Sequence, residues 1–159
     1  MKPLYRGIAV ALLQCLIVLG VAGKYAMDQE RLPRAWVKAA AGDPSLPIRG
    51  RYVSLRLEVT APQETAGQWE SATLSVQDGR LVATPVVAGA GVAIWRFDDR
   101  PWVIQEPVAF FIPEQVPDPS LRAPGEELWV EVSVPRQGLP RPLRLGVKKD
   151  GVVTPLELR

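Results

Sequence analysis

At 159 residues the chain has room for one compact domain once a hydrophobic N-terminal segment is set aside. It contains no histidine, and its one cysteine, Cys15, lies inside that segment, so histidine triads, Cys/His zinc sites and intrachain disulfides are excluded. The formal charge of +2 sits at the N-terminus; over 24–159 acids and bases balance, without the one-sided basic face that nucleic acid requires.

Gly7–Gly23 (GIAVALLQCLIVLGVAG) is uncharged and as a helix would extend roughly 25 Å, the short end of what crosses a bilayer. Tyr5 and Tyr25 bracket it where interfacial aromatics sit, and Lys2, Arg6 and Lys24 can reach headgroups. We expect a retained transmembrane anchor over residues 1–25, in contact with the lipid bilayer through 7–23. The alternative is a signal peptide cleaved near Gly23, which would release the rest as a periplasmic ligand-binding protein. The expected orientation is N-terminus in the cytoplasm, with the domain in the periplasm of a bacterial inner membrane.

Residues 26–42 read as a juxtamembrane segment. Pro33 breaks the helix, a short strand follows over Arg34–Lys38, and Ala39–Gly42 leads into the turn-rich 43–47. The β domain is expected over 43–159. Arg51–Thr60 (RYVSLRLEVT) alternates strictly, with Val53, Leu55, Leu57 and Val59 on one face and Tyr52, Ser54, Arg56 and Glu58 on the other. Asp78-Gly79 joins strands Trp69–Gln77 and Arg80–Val87, and Asp150-Gly151 joins Arg141–Lys149 and Val152–Leu158, as type I′ hairpin turns. Gly91–Phe97, Trp102–Gln105, Val108–Ile112 and Glu127–Val134 are further strands. In the last, Leu128, Val130, Val132 and Val134 face inward, and Glu127, Trp129, Glu131 and Ser133 outward. Pro113–Pro124 is a proline-rich loop. The pattern specifies an all-β domain, a small antiparallel sandwich or barrel, preceded by one N-terminal transmembrane helix.

Candidate sites are few, and neither a metal nor a cofactor is expected. Asp98-Asp99 lacks the ligand spacing of a calcium loop and reads as a solvated turn. Lys148-Lys149 reads as an exposed, charged hairpin tip. Trp69, Trp95 and Trp102 are expected in the core, whereas alternation puts Trp129 on the polar face, to be covered by a loop or to meet a partner.

The segment Asp43–Leu57 (DPSLPIRGRYVSLRL) resembles the core motif of the GDYXXLXY protein family, matching it at Asp43, Pro44, Gly50, Tyr52 and Leu55. Phe110–Gln115 (FFIPEQ) is similar to that family's later Y-F-V-x-E element. Arg51 stands where the family has aspartate, and Leu57 where it has its second tyrosine. The resemblance implies a small bacterial membrane-anchored protein and supplies no activity. On the residues themselves, Gly50 turns the chain into the strand and Tyr52 makes a structural corner or a ligand or partner surface.

Together these readings point to a non-enzymatic interaction or accessory subunit of the cell envelope. Arg51 and Trp129 are its candidate partner surface, and another membrane protein is its partner. A Ser/Lys hydrolase is a distant alternative: Ser45-Leu46-Pro47 before a Gly-x-Tyr-Val strand resembles the start of the signal peptidase catalytic domain. That family has methionine after its serine and aspartate at the position of Arg51, and the nearest downstream lysine is Lys148.

Overall fold

In the computed structural model the chain forms two compact units, Met1–Leu32 and Pro33–Arg159. The structure describes residues 3–42, 52–62, 69–87, 89–119 and 121–158.

The first unit is one helix, α1 (Pro3–Arg31). Proline suits its first position, where the missing N–H would have no helical partner. Gly7–Met27, with mean hydropathy 2.0, is long and apolar enough to cross a membrane, and every residue in it is exposed. The helix outlasts its apolar stretch. It runs past Tyr25 to Arg31, because nothing before Pro33 forbids helical dihedrals.

The second unit is all-β. Among the described residues its ten strands are β1 (Arg34–Gly42), β2 (Tyr52–Val59), β3 (Trp69–Gln77), β4 (Arg80–Pro85), β5 (Val92–Trp95), β6 (Trp102–Ile104), β7 (Val108–Phe111), β8 (Glu127–Ser133), β9 (Arg141–Lys149) and β10 (Val152–Pro155). They pair antiparallel in one curled sheet of order β10-β9-β8-β1-β2-β6-β5-β3-β4, with β7 also on β2. β2 is the hinge of this arrangement. Its first half pairs with β7 and its second half with β6. Just beyond it, Thr60 donates to the Leu81 carbonyl (2.9 Å) and accepts from the Ala83 N–H (2.8 Å). That parallel contact closes β2-β6-β5-β3-β4 on itself as a small barrel, and β1, β8, β9 and β10 extend from β2 as an open wing.

One face of the curled sheet is the core. Val53, Leu55, Leu57 and Val59 of β2 are buried alternately along the strand, as the period of two requires. Val37, Val130, Val132 and Leu145 continue the core under the wing, and Leu74, Leu81, Ile94, Trp102 and Ile104 fill the barrel. The described residues of the expected loop at 113–124 are not strand, yet Val116 and Pro119 are buried, so they pack back on the domain.

The two Asp-Gly turns are where alternation predicts them. Asp78 (φ 50°) and Gly79 (φ 73°), and Asp150 (φ 50°) and Gly151 (φ 85°), carry the paired positive dihedrals of a type I′ turn. In such hairpins the pair flanking the turn exchanges hydrogen bonds, and alternate residues then turn their backbone to the open side. In β4 these are Leu81, Ala83 and Pro85; in β10 they are Val153 and Pro155. Thr60 occupies Leu81 and Ala83, and neither proline offers an N–H. Both ends of the sheet are thus blunted against edge-to-edge pairing.

Several strand boundaries differ from the sequence expectation; β4, for instance, ends at Pro85 rather than Val87. β1 continues through Ala39–Gly42, with Ala39 opposite Leu57 and Gly42 opposite Ser54. Pairing and burial of Ala39 override alanine's poor strand propensity. Gly91 lies outside β5, because its φ of +101° is not a strand conformation. β10 stops at Pro155 rather than running to Leu158.

Candidate functional site

The outer face of the wing carries the polar halves of β1, β2, β8 and β9 in register. One row runs Lys38, Trp129, Gly146 and Pro155, and the β1–β2 register extends it to Glu58. The next row towards the open end is Trp36, Glu131 and Arg144. Trp36 and Trp129 are therefore diagonal neighbours on adjacent strands, within reach of each other's side chains.

Glycine at 146 is what lets Trp36 lie across β8. A Cβ there would stand 2.7 Å from the Trp36 Cζ3 and 3.1 Å from the Thr154 carbonyl oxygen. Gly146→Ala is expected to cost about 1–3 kcal/mol through this overlap. Trp36→Ala in the same chain should return part of that loss, so urea midpoints of the two single variants and the double variant will not add.

Trp129 is half-buried, between Glu127 of its own strand and Lys148 of β9. Its Nε1–H donates to Glu127 Oε2 (3.1 Å), and the Lys148 ammonium stands 4.3 Å from its ring centroid. The other Glu127 oxygen accepts from Lys38 Nζ at 2.7 Å. Lys148 is accordingly not the freely solvated hairpin lysine that its position beside Asp150-Gly151 suggests. Lys149, which turns to Glu126 (3.6 Å), comes closer to that description. Further along, Glu131 is buried despite its outward register. The Arg144 Nε–H, donating to Glu131 Oε2 at 2.7 Å, meets the requirement of that carboxylate for a charged partner. Ser133, expected outward as well, is fully buried.

Beside Trp129 the face hollows into an open groove of about 480 Å³. It is lined by Trp36, Lys38, Trp129 and Lys148, by Glu58 and Thr60, and by the hairpin tip Asp78–Leu81 with Pro101. The Glu127 carboxyl is held below its ordinary value by hydrogen bonds from Lys38 and Trp129, and Lys38 is raised by the same bond. Glu58 is shifted the opposite way, because burial disfavours its charge more than nearby Lys38 relieves it.

The signs set a pH dependence. Glu58, raised, destabilises the fold as pH climbs from the ordinary 4.5 through its folded value. Glu127, lowered, contributes stability above 4.5 that is lost as pH falls through its folded value. Because Glu127 and Lys38 are both substantially exposed, their pair contributes about 0–1 kcal/mol. We expect urea midpoints of Glu58→Gln to exceed wild type at pH 7, and the difference to vanish below pH 4.5. Glu127→Gln should lower the midpoint at pH 7 and converge with wild type in acid.

Those residues singled out by sequence that the structure describes are not gathered in one place. Asp43, Pro44, Gly50, Arg51 and Ser45 lie outside the described residues. Tyr52 opens β2 half-buried, its ring 6.2 Å from that of Phe111 on β7. Leu55 is fully buried and belongs to the core. Tyr52 shares the outer face with Glu58 but lies six residues along β2, roughly 20 Å away. Of the candidates among the described residues, Trp129 and Lys148 line the groove. Trp36, Lys38 and Glu58 were not singled out, although period-two alternation already set Glu58 on the outer face of its strand. Trp102 is buried as expected, with the Arg96 guanidinium 5.0 Å from its ring. Asp98 and Asp99 are exposed in a turn.

No family model, curated protein or solved structure matches the chain.

Proposed function

We propose that the protein is a membrane-tethered, non-enzymatic interaction subunit of the bacterial cell envelope. α1 crosses the inner membrane once with its N-terminus in the cytoplasm. The β domain lies in the periplasm and offers the Trp36–Trp129 groove to another membrane protein. The observation that carries this reading is Gly7–Met27: a helical stretch of mean hydropathy 2.0, exposed throughout, long and apolar enough to cross a membrane. The motif resemblance at Asp43, Pro44, Gly50, Tyr52 and Leu55 supports a membrane-anchored protein. The groove supports binding over catalysis, since Lys38, Glu127, Trp129 and Lys148 are engaged with one another.

Tagged protein recovered from membranes of a bacterial host, with a mass measurement of its N-terminus, tests the proposal. An intact chain co-purifying stoichiometrically with a membrane protein is expected. A soluble chain beginning at Lys24, recovered alone, would overturn the tether and identify residues before it as a signal peptide.

A further inference from the structure

Both ends of the sheet are blunted, but a further stretch of edge is left open inside it. β5 pairs with β3 only as far as Ala72, opposite Val92, whereas β3 and β4 run on together to Gln77. Along that stretch the backbone of β3 alternates between its two sides. Ser71, Thr73, Ser75 and Gln77 turn towards β4: Gln77 flanks the type I′ turn, and the Ser71 carbonyl accepts from the Val86 N–H at 2.8 Å. Leu74 and Val76 therefore direct their N–H and C=O groups the other way, where among the described residues no strand pairs with them. This edge lacks the protection seen in β4 and β10. Between Ala72 and Gln77 there is no proline, no charged side chain and no bulge.

An open hollow of about 410 Å³ lies where β5 stops, and Leu74, Gly91, Pro135, Arg136 and Gly138 are among the residues that line it. It adjoins a second hollow of about 470 Å³, sharing Gly91, Val92 and Gly138 with it. Gly91 has no side chain to occupy this space. Pro135 and the buried Pro140 stiffen the β8–β9 loop, so the cleft needs little ordering before it is filled. Arg136 is the charged side chain of the first hollow; it is exposed, and among the described residues it makes no ion pair. Its guanidinium fork suits a carboxylate. Glu106 lines the second hollow only, away from Leu74.

We propose that the β3 edge at Leu74 and Val76 takes an extended segment of a partner protein as an added strand on the line of β5, with an acidic side chain of that segment at Arg136. Main-chain hydrogen bonds give such pairing its affinity, and alternate side chains give its selectivity. The site shares no lining residue with the Trp36–Trp129 groove and does not depend on the membrane tether.

The test uses the full ¹⁵N-labelled chain in detergent micelles, titrated with acetyl-Val-Glu-Val-Glu-Val-amide, which has the same alternation read in either direction. Saturable shifts of the Leu74 and Val76 amide signals are expected, with half-saturation on the order of millimolar for so short a strand. Two N-methylated isomers decide the mode of binding, one methylated on the valines and the other on the glutamates. Alternation turns only one of these sets towards β3, so one isomer should lose the response and the other keep it. The lysine counterpart, acetyl-Val-Lys-Val-Lys-Val-amide, should bind about threefold or more weakly. Val76→Pro removes an outward N–H without touching the β4 ladder and should weaken the response by about tenfold or more. The isomer comparison is made on the unaltered chain and stands whatever Val76→Pro does to the fold. No saturable shift at Leu74 and Val76, or an equal response to both isomers, would overturn the added strand. Equal binding of the lysine peptide would overturn the acidic partner. Movement of the same signals on concentrating the chain alone would assign the edge to a second copy and overturn the proposal as well. Each of these failures leaves the tethered-subunit reading standing, because that reading rests on α1.

Discussion

Gly91→Ala is expected to be among the most destabilising single-methyl additions in the β domain, at about 2–6 kcal/mol from backbone strain plus overlap. The chain leaves β4 on one side of β3 and must reach β5 on the other, crossing at Ala72. Gly91 is at that crossing with φ +101°, and a Cβ there would stand 2.5 Å from the Ala72 carbonyl oxygen. Neither side can yield easily. Ala72 is fully buried and paired to both β4 and β5, and the crossing is pinned from its other end by the Val86 N–H on the Ser71 carbonyl at 2.8 Å. Thermal or urea unfolding of Gly91→Ala beside Gly79→Ala is the informative comparison. Gly79 also has positive φ, but a Cβ there meets nothing within 4 Å, so its loss should be confined to turn strain. Equal losses would show that the Ala72 contact carries no weight.

Gly91 also marks the division between what was legible in the sequence and what was not. A strand's period of two is local, so the buried faces of β2 and β8 could be read directly from Val53, Leu55, Leu57 and Val59 and from Leu128, Val130 and Val132. The Asp-Gly turns were legible for the same reason, since the residue pair itself selects the backbone geometry. Partnership between distant strands is not local. Nothing in Arg34–Gly42 announces that it lies between β2 and β8, which bring Leu57 opposite Ala39 and Trp129 opposite Lys38. The Thr60 bonds to β4 that close the barrel are equally silent in the sequence.

The groove followed the same logic. Trp129 was recognisable because a tryptophan interrupts an acidic outer face. The significance of Trp36 and Glu58 depends on the registers that carry Glu58 to the row of Trp129 and Trp36 to the next, and the role of Gly146 depends on a ring arriving from two strands away. A glycine in mid-strand reads locally as a weakness; only the pairing shows that a side chain needs its space.

The larger effect belongs to α1. Leu12→Arg with Leu16→Arg places two guanidinium groups one turn apart on the same helix face, inside the Gly7–Met27 span. On the insertion scale each replacement changes a favourable leucine into a residue costing about 2.5–3.5 kcal/mol at mid-membrane, so the pair should oppose insertion by about 6–8 kcal/mol. Helix propensity hardly changes, because leucine and arginine are similar helix formers. Loss of membrane retention can therefore be assigned to solvation rather than to unfolding of the helix. The expected result is that intact chain disappears from alkali-washed membranes, while Lys24→Arg, which keeps its charge near the end of the apolar run, leaves retention unchanged. Snorkelling gives the control its logic: from position 24 a long basic side chain reaches headgroups, whereas from 12 or 16 it must draw water into the hydrocarbon. Undiminished retention of the double-arginine chain would mean that the β domain, and not α1, holds the protein at the membrane. The tether assigned to Gly7–Met27 would then be withdrawn.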